Sequence, residues 1–400
     1  MKWRNRGHEL DDFGKELASR FHEKQRKIYV FGAGLLGKEI VPTLEKYKCF
    51  ASYIDNDLHK QKNGIDGRSV ISLEQYIKNG IDGFIVIAAD EKNILAIEEQ
   101  LNDQGFISGR DYWRYTEFIR YVFPVLSLYE FNLLYVDVAQ ICLTERCSLK
   151  CKDCAHGCFA VDIHSHDMGI EVAKESADVF FSKVDYVREF VLIGGEPLLY
   201  AELIEIIGYI GGKYRNKVGI FSITTNGTII PSEDVLGLCN KYDVLIRISN
   251  YSLAVQRLDE KQKQLISRLE EMQVPYVLGD REWKWVDYGF KSVDRKWEES
   301  ELIEVFDKCK TLCREIRGSK YYYCVMARSV SENLKFDIGK EDYLDFKDLD
   351  ESDKKIILEF QLGYSDKGYL DMCNHCNGAE AVKYPIPAAE QMDGIPGIKE

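Results

Sequence analysis

Four hundred residues carry 53 lysines and arginines against 66 aspartates and glutamates, for a net charge of −13. That length predicts two or three domains, and the acidic balance argues against nucleic acid or an anionic membrane as a partner. No apolar run reaches the roughly 18 residues of a membrane span, and the opening MKWRNRGHELDDFGKEL lacks the apolar core of a secretory signal. A cytoplasmic location is therefore expected. Twelve cysteines in such a chain read as reduced thiols and metal ligands, not disulfides.

In chain order, the spacing of Leu10, Phe13, Leu17 and Phe21 predicts a helix over 8–23. A strand at 28–31 runs into Gly32-Ala33-Gly34-Leu35-Leu36-Gly37 and a helix to about Lys48. A second strand, 50–54, closes on Asp55, and a third apolar run, 84–88, precedes a helix at 91–104. These elements predict a small parallel α/β domain over 1–115 with about three strands, followed by a helical connector at 116–133. From Leu134 the alternation restarts. Strand-like runs at 134–143, 190–193, 219–225, 244–249 and 275–278 alternate with helical patterns at about 169–183, 198–213, 232–241 and 252–272. An open or closed βα barrel over 134–300 is the natural architecture. Past residue 300 the rhythm breaks, giving a third domain over 301–400. It comprises a helix at 299–308, a hairpin turning at Gly318, an acidic helix-forming stretch at 340–360, and YLDMCNHCNGAE. The fold class is α/β.

The most informative stretch is Cys147-Ser-Leu-Lys-Cys151-Lys-Asp-Cys154, directly after the first strand of the second series. Three thiolates in one loop can hold three corners of an iron–sulfur cubane and leave the fourth iron open. A zinc site completed by Cys158 or a distant ligand is the alternative, since short cysteine runs also suit zinc. Downstream, Gly194-Gly195-Glu196-Pro197 ends the next strand, Thr225-Asn226-Gly227 the third and Ser249-Asn250 the fourth. Barrel active sites sit at that carboxyl face.

With those four features in order, the stretch 134–290 resembles the radical S-adenosylmethionine (SAM) superfamily. The resemblance implies a partial (β/α)6 barrel with a catalytic [4Fe–4S] cluster on Cys147, Cys151 and Cys154. It also implies a SAM site at Gly194, Gly195, Glu196, Pro197, Thr225, Asn226, Ser249 and Asn250, with Glu196 suited to the methionine ammonium. One electron from a low-potential donor such as flavodoxin or ferredoxin would cleave SAM to methionine and a 5′-deoxyadenosyl radical that abstracts hydrogen from substrate. Asp153 stands where the family usually carries an aromatic residue, which bears on the adenine contact.

Cys313, Gly318 and Cys324, with Cys373 and Cys376, resemble the twitch domain, a shortened relative of SPASM. That resemblance implies an auxiliary [4Fe–4S] cluster, with a four-cysteine zinc site as the alternative and Cys309 able to replace Cys313. In the first domain, Gly32, Gly34, Gly37 and Asp55 stand where a dinucleotide fingerprint places its turn, its helix N-terminus and its ribose acceptor. This stretch also resembles the small Rossmann-like domain that precedes bacterial acyltransferases acting on nucleotide sugars, which implies a nucleotide or nucleotide-sugar ligand. A docking domain without ligand is the alternative. His156, His164 and His166 read as solvated or supporting groups, and Trp283 and Trp285 as packing more than a sugar platform.

The expectation is a radical SAM enzyme acting on a sugar or nucleotide sugar by epimerisation, dehydration or rearrangement. The alternatives are a maturase of a ribosomal peptide or protein side chain, and a zinc-stabilised scaffold without catalysis.

Overall fold

The computed structural model describes residues 8–165, 167–290, 295–309, 311, 313–364 and 367–392. The contacts of the chain divide it into two units, Gly7–Asp137 and the part from Val138 onward.

In the first unit, β1 (Ile28–Phe31), β2 (Phe50–Ile54), β3 (Val70–Ile71), β4 (Phe84–Ile87) and β5 (Tyr112–Arg114) form one sheet in the order β3-β2-β1-β4-β5. Every pairing is parallel. All residues of β1 and β4 are buried, as strands covered on both faces must be. The two strands that sequence reading did not anticipate, β3 and β5, span two and three residues. Runs that short carry no readable alternation. Residues 116–133 do not behave as a separate connector. Their rings pack into this unit's own core, with Phe131 centred 6.2 Å from Phe21 and 5.3 Å from Tyr47.

The second unit is built on β6 (Tyr135–Thr144), β7 (Tyr186–Gly194), β8 (Val218–Thr225), β9 (Val244–Ile248), β10 (Tyr276–Leu278), β12 (Arg314–Arg317), β13 (Lys320–Tyr322) and β14 (Tyr343–Asp345). Their order is β10-β9-β8-β7-β6-β12-β13-β14. The pairs β7–β8, β8–β9 and β9–β10 are parallel, with helices Leu203–Tyr214, Glu233–Tyr242 and Leu258–Glu271 as their connections. The sheet does not end at β6: β12 joins it there in parallel and turns through Gly318 (φ +58°) into β13. A separate two-stranded ribbon pairs β11 (Lys284–Val286) with β15 (Pro385–Pro387), antiparallel.

The helix expected over 340–360 is confined to Lys354–Leu362. Upstream of it the chain is claimed by tertiary pairing. β14 lies against β13, and the buried Asp342 carboxylate accepts the N–H groups of Asp371 and Met372 at 2.8 and 3.0 Å.

Candidate functional site

Four strand ends of the second unit converge. β6 ends in the loop carrying Cys147, Cys151 and Cys154; β7 ends in Gly194-Gly195-Glu196; β8 ends in Thr225-Asn226; and β9 is followed by Ser249. The join between the first two is a close backbone approach. Gly195 N–H donates to the Thr144 carbonyl and Glu196 N–H to the Arg146 carbonyl, both at 2.8 Å. A Cβ on Gly195 would lie 2.3 Å from the Arg146 oxygen, so only glycine lets the strand end press against the cysteine loop.

The space these ends enclose is a cavity of about 380 Å³. Cys147, Cys151 and Cys154 line it, together with Gly194, Gly195, Thr225, Asn226 and Ser249. Burial pushes the Cys147 thiol well above its usual range and the Cys151 thiol up to about 12. Cys154 moves the other way. The Cys158 thiol donates to it, burial opposes the shift, and the N–H groups of Cys158, His156 and Gly157 add to it. Cys147 Sγ accepts from Leu149 N–H at 3.4 Å and from Asn226 Nδ2 at 3.5 Å. Sulfurs held in low dielectric with N–H donors aimed at them suit thiolates bound to a cationic group.

The residues present therefore fit a cubane held at three corners, with the cavity beside it open for a second ligand. Among the described residues, no three Cys, His, Asp or Glu side chains close on a single ion. A cubane does not ask them to, because each of its thiolates binds a different iron. Cys158 is buried behind Cys154 and is not on the cavity wall. The loop is anchored from below, where Asn333 Nδ2 donates to the His156 carbonyl at 2.8 Å and His156 Nδ1 pairs with Ser329 Oγ at 3.2 Å. Burial lowers the His156 imidazole to about 4.

Three residues expected at the SAM site, Glu196, Pro197 and Asn250, are not among those lining this cavity. Glu196 is completely buried and does not reach the cavity wall. Its carboxylate is consumed by Thr225 Oγ1 (2.9 Å), Asn226 N–H (2.8 Å) and Leu198 N–H (3.1 Å). Glu196 is thus a clamp between the ends of β7 and β8. Pro197 is buried in the turn Pro197–Leu199. Asn250 turns its Oδ1 to the Ser252 hydroxyl at 2.8 Å.

Of the rest of the wall, sequence reasoning missed Tyr251. Tyr251 and Trp285 meet edge to face at 5.4 Å beside the cysteines. Asp153 is also on the wall, with Trp283 at the mouth, 64% exposed. The chain's return at 389–392 had no local signal at all. Of the two outlying histidines, His164 is described in the loop and His166 lies outside the described residues.

A second thiol cluster lies farther along. Cys309, Cys324, Cys373 and Cys376 share one cavity whose other walls include Tyr288, Phe306, Met326 and Met372. Cys309 comes from the end of helix Glu299–Lys308, Cys324 from beyond β13, and Cys373 and Cys376 from the turn at 371–376. Cys313, expected as the ligand, is not on this wall. Cys313 is half-buried just before β12, where Arg314 stacks its guanidinium 4.0 Å from the Tyr323 ring centroid. All twelve cysteines are free thiols.

In the first unit, Gly32 leaves β1 at φ +111° and Gly37 lies against the Gly32 carbonyl, so strand and helix pack closely. Asp55, expected as a ribose acceptor, already holds three donors of its own unit. Its carboxylate accepts from Ala33 N–H (2.8 Å), Asp57 N–H (2.9 Å) and Lys60 Nζ (2.9 Å). Burial pushes its pKa up, but those donors outweigh burial and hold it below the usual carboxylate range. Gly34 caps helix Leu35–Lys46 without a side-chain bond.

Residues 141–273 match the model of the Radical SAM superfamily. The chain carries a radical SAM domain. No curated protein matches the sequence. Among solved structures, it is similar to native anSMEcpe with bound AdoMet and the Cp18Cys peptide (18% identity over 36% of this chain and 42% of that one, TM-score 0.29). Streptococcus suis SuiB bound to S-adenosylmethionine is 17% identical over 54% and 48%, with a TM-score of 0.30. BtrN in complex with AdoMet and 2-DOIA is 15% identical over 63% and 98%, with a TM-score of 0.39. The chain spans less than half the length of the first two, and none of the three superposes closely. Among the described residues no helix is long and apolar enough to cross a membrane.

Proposed function

We propose that this chain is a radical SAM enzyme whose reaction takes place in the cavity at the ends of β6–β9. Cys147, Cys151 and Cys154 hold a [4Fe–4S] cluster, and Gly194, Gly195, Thr225, Asn226 and Ser249 form the bed for SAM. The observation that carries this reading is that one cavity is lined by all three thiols and by residues of three further strand ends. When bound and reduced by a flavodoxin- or ferredoxin-like donor, the cluster and SAM supply a 5′-deoxyadenosyl radical that abstracts hydrogen.

The chain's own part is binding, orientation and exclusion of water. Glu196 ties the ends of β7 and β8 into one rigid bed by hydrogen bonds to Thr225 and Asn226. Asn226 also reaches back to Cys147, which links the SAM bed to the cluster loop. Tyr251 and Trp285 cover the side of the cavity toward the mouth. The second thiol cluster holds an auxiliary iron–sulfur centre on Cys309, Cys324, Cys373 and Cys376. The substrate is a sugar or nucleotide-linked sugar. A largely apolar cavity with Trp283 and Trp285 at its mouth supports this, because an aromatic face suits the C–H face of a sugar ring. The first unit supplies a nucleotide-binding shape.

The test is anaerobic reconstitution followed by SAM and a strong reductant. 5′-Deoxyadenosine is released by the wild type and not by Cys151→Ala; a turning-over variant refutes the assignment. Binding of nucleotide sugars by calorimetry, absent in a peptide series, supports the substrate class, and the reverse result replaces it with peptide maturation.

A further inference from the structure

The end of the described chain returns to the cysteine loop. After β15, Ala389 (φ +55°) turns the backbone and is completely buried against Leu149, Cys151, Val255 and Leu258. Residues 390–392 then run antiparallel to 150–152. Lys152 N–H donates to the Glu390 carbonyl and Met392 N–H to the Lys150 carbonyl, both at 2.8 Å. Between these two bonds stands Gln391, opposite Cys151.

The Gln391 amide can face only one way. Lys150 N–H, which can only donate, lies 2.8 Å from Oε1. The amide nitrogen must therefore point to the other side, where Nε2 is 3.2 Å from Cys151 Sγ and 2.6 Å from the Ala389 carbonyl, both acceptors. The N–H aimed at Cys151 is thus fixed by the surrounding backbone. Cys147 receives donors from its own loop and from Asn226. The side-chain donor to Cys151 comes from 240 residues away.

An N–H bond to a ligand sulfur draws charge from it and favours the reduced, more negative state of a cluster, which raises the reduction potential. We infer that Gln391 is a positioning residue that orients Cys151 and sets the reduction potential of the catalytic cluster. The C-terminal segment is accordingly part of the redox machinery. This rests on the reading of Cys147, Cys151 and Cys154 as cluster ligands.

The experiment uses full-length protein, anaerobically reconstituted. Two variants are compared with the wild type. Gln391→Glu keeps the oxygen that Lys150 needs but has no N–H for sulfur, and Gln391→Leu removes both. EPR-monitored redox titration follows the cluster signal that SAM perturbs, alongside iron content. The expected result is wild-type iron content with a lower midpoint potential in both variants, lowest in Gln391→Glu, which adds a charge beside the sulfur. If Gln391→Leu loses its cluster by unfolding the loop, Gln391→Glu decides. An unchanged potential in Gln391→Glu overturns the inference. A wild-type protein with no SAM-responsive cluster overturns the proposed function instead, so the two failures are distinct.

Discussion

Glu196 offers the sharpest test of how the strand ends are held. Burial raises its carboxyl to about 7, against which the Asn226, Leu198 and Thr225 bonds pull only in part. Between its ordinary 4.5 and about 7, the folded chain keeps a proton that the unfolded chain has released. The stability this group contributes is therefore fully present below pH 4.5 and lost as pH rises through 7. At about 1.36 kcal/mol per pH unit, that separation amounts to about 3 kcal/mol. Replacing Glu196 by Gln puts an NH2 group where one of two buried N–H donors, Asn226 or Leu198, now finds an oxygen. Leaving such a donor unpaired costs about 1–3 kcal/mol. That cost does not change with pH, whereas the wild-type contribution does. Glu196→Gln is thus expected to be clearly destabilising at pH 5 and close to neutral at pH 8. Native-state hydrogen exchange of peptides spanning 194–198 and 224–228 in the metal-free protein reads this local opening, corrected for intrinsic exchange rates. An equal cost at both pH values, or a larger one at pH 8, refutes burial as the dominant effect on this carboxyl.

Three further substitutions test the packing and the second thiol cluster. Gly195→Ala places a methyl 2.3 Å from the Arg146 oxygen and 2.8 Å from Cys147 Cβ. It should cost about 1–3 kcal/mol or more and lower iron incorporation at the catalytic loop; unchanged melting and iron content would show that the approach is not tight. Cys309→Ala should lose the auxiliary iron while Cys313→Ala retains it, as read by iron stoichiometry and Mössbauer spectra, and the opposite pattern would restore Cys313 as the ligand.

Much of the site was legible because its signals are local. The CxxxCxxC spacing and the GGEP and TNG turns each follow an apolar strand, and a strand's end is readable from its residues alone. What those residues do was less legible. Glu196 reads as a counter-charge for an ammonium until its three donors are seen, one from the last residue of β8 and one from the residue after it. Asp55 reads only as a ribose acceptor, and the structure adds a role within its own unit, accepting from Ala33, Asp57 and Lys60. Cys309 and Cys313 are equivalent in spacing terms, and only the cavity, which Cys309 lines and Cys313 does not, separates them. The acidic stretch 340–360 has helical character, but strand pairing at 343–345 overrides it.

The sequence by itself determined the α/β alternation, the three-thiol loop and the glycine-rich strand ends, because backbone propensity and ligand spacing act over a few residues. Tertiary structure alone decided which carboxylates are spent on protein donors, which four cysteines share a cavity, and that Gln391 meets Cys151. Those outcomes depend on segments up to 240 residues apart, and no pattern along the chain encodes a hydrogen bond whose partner arrives only when the fold closes.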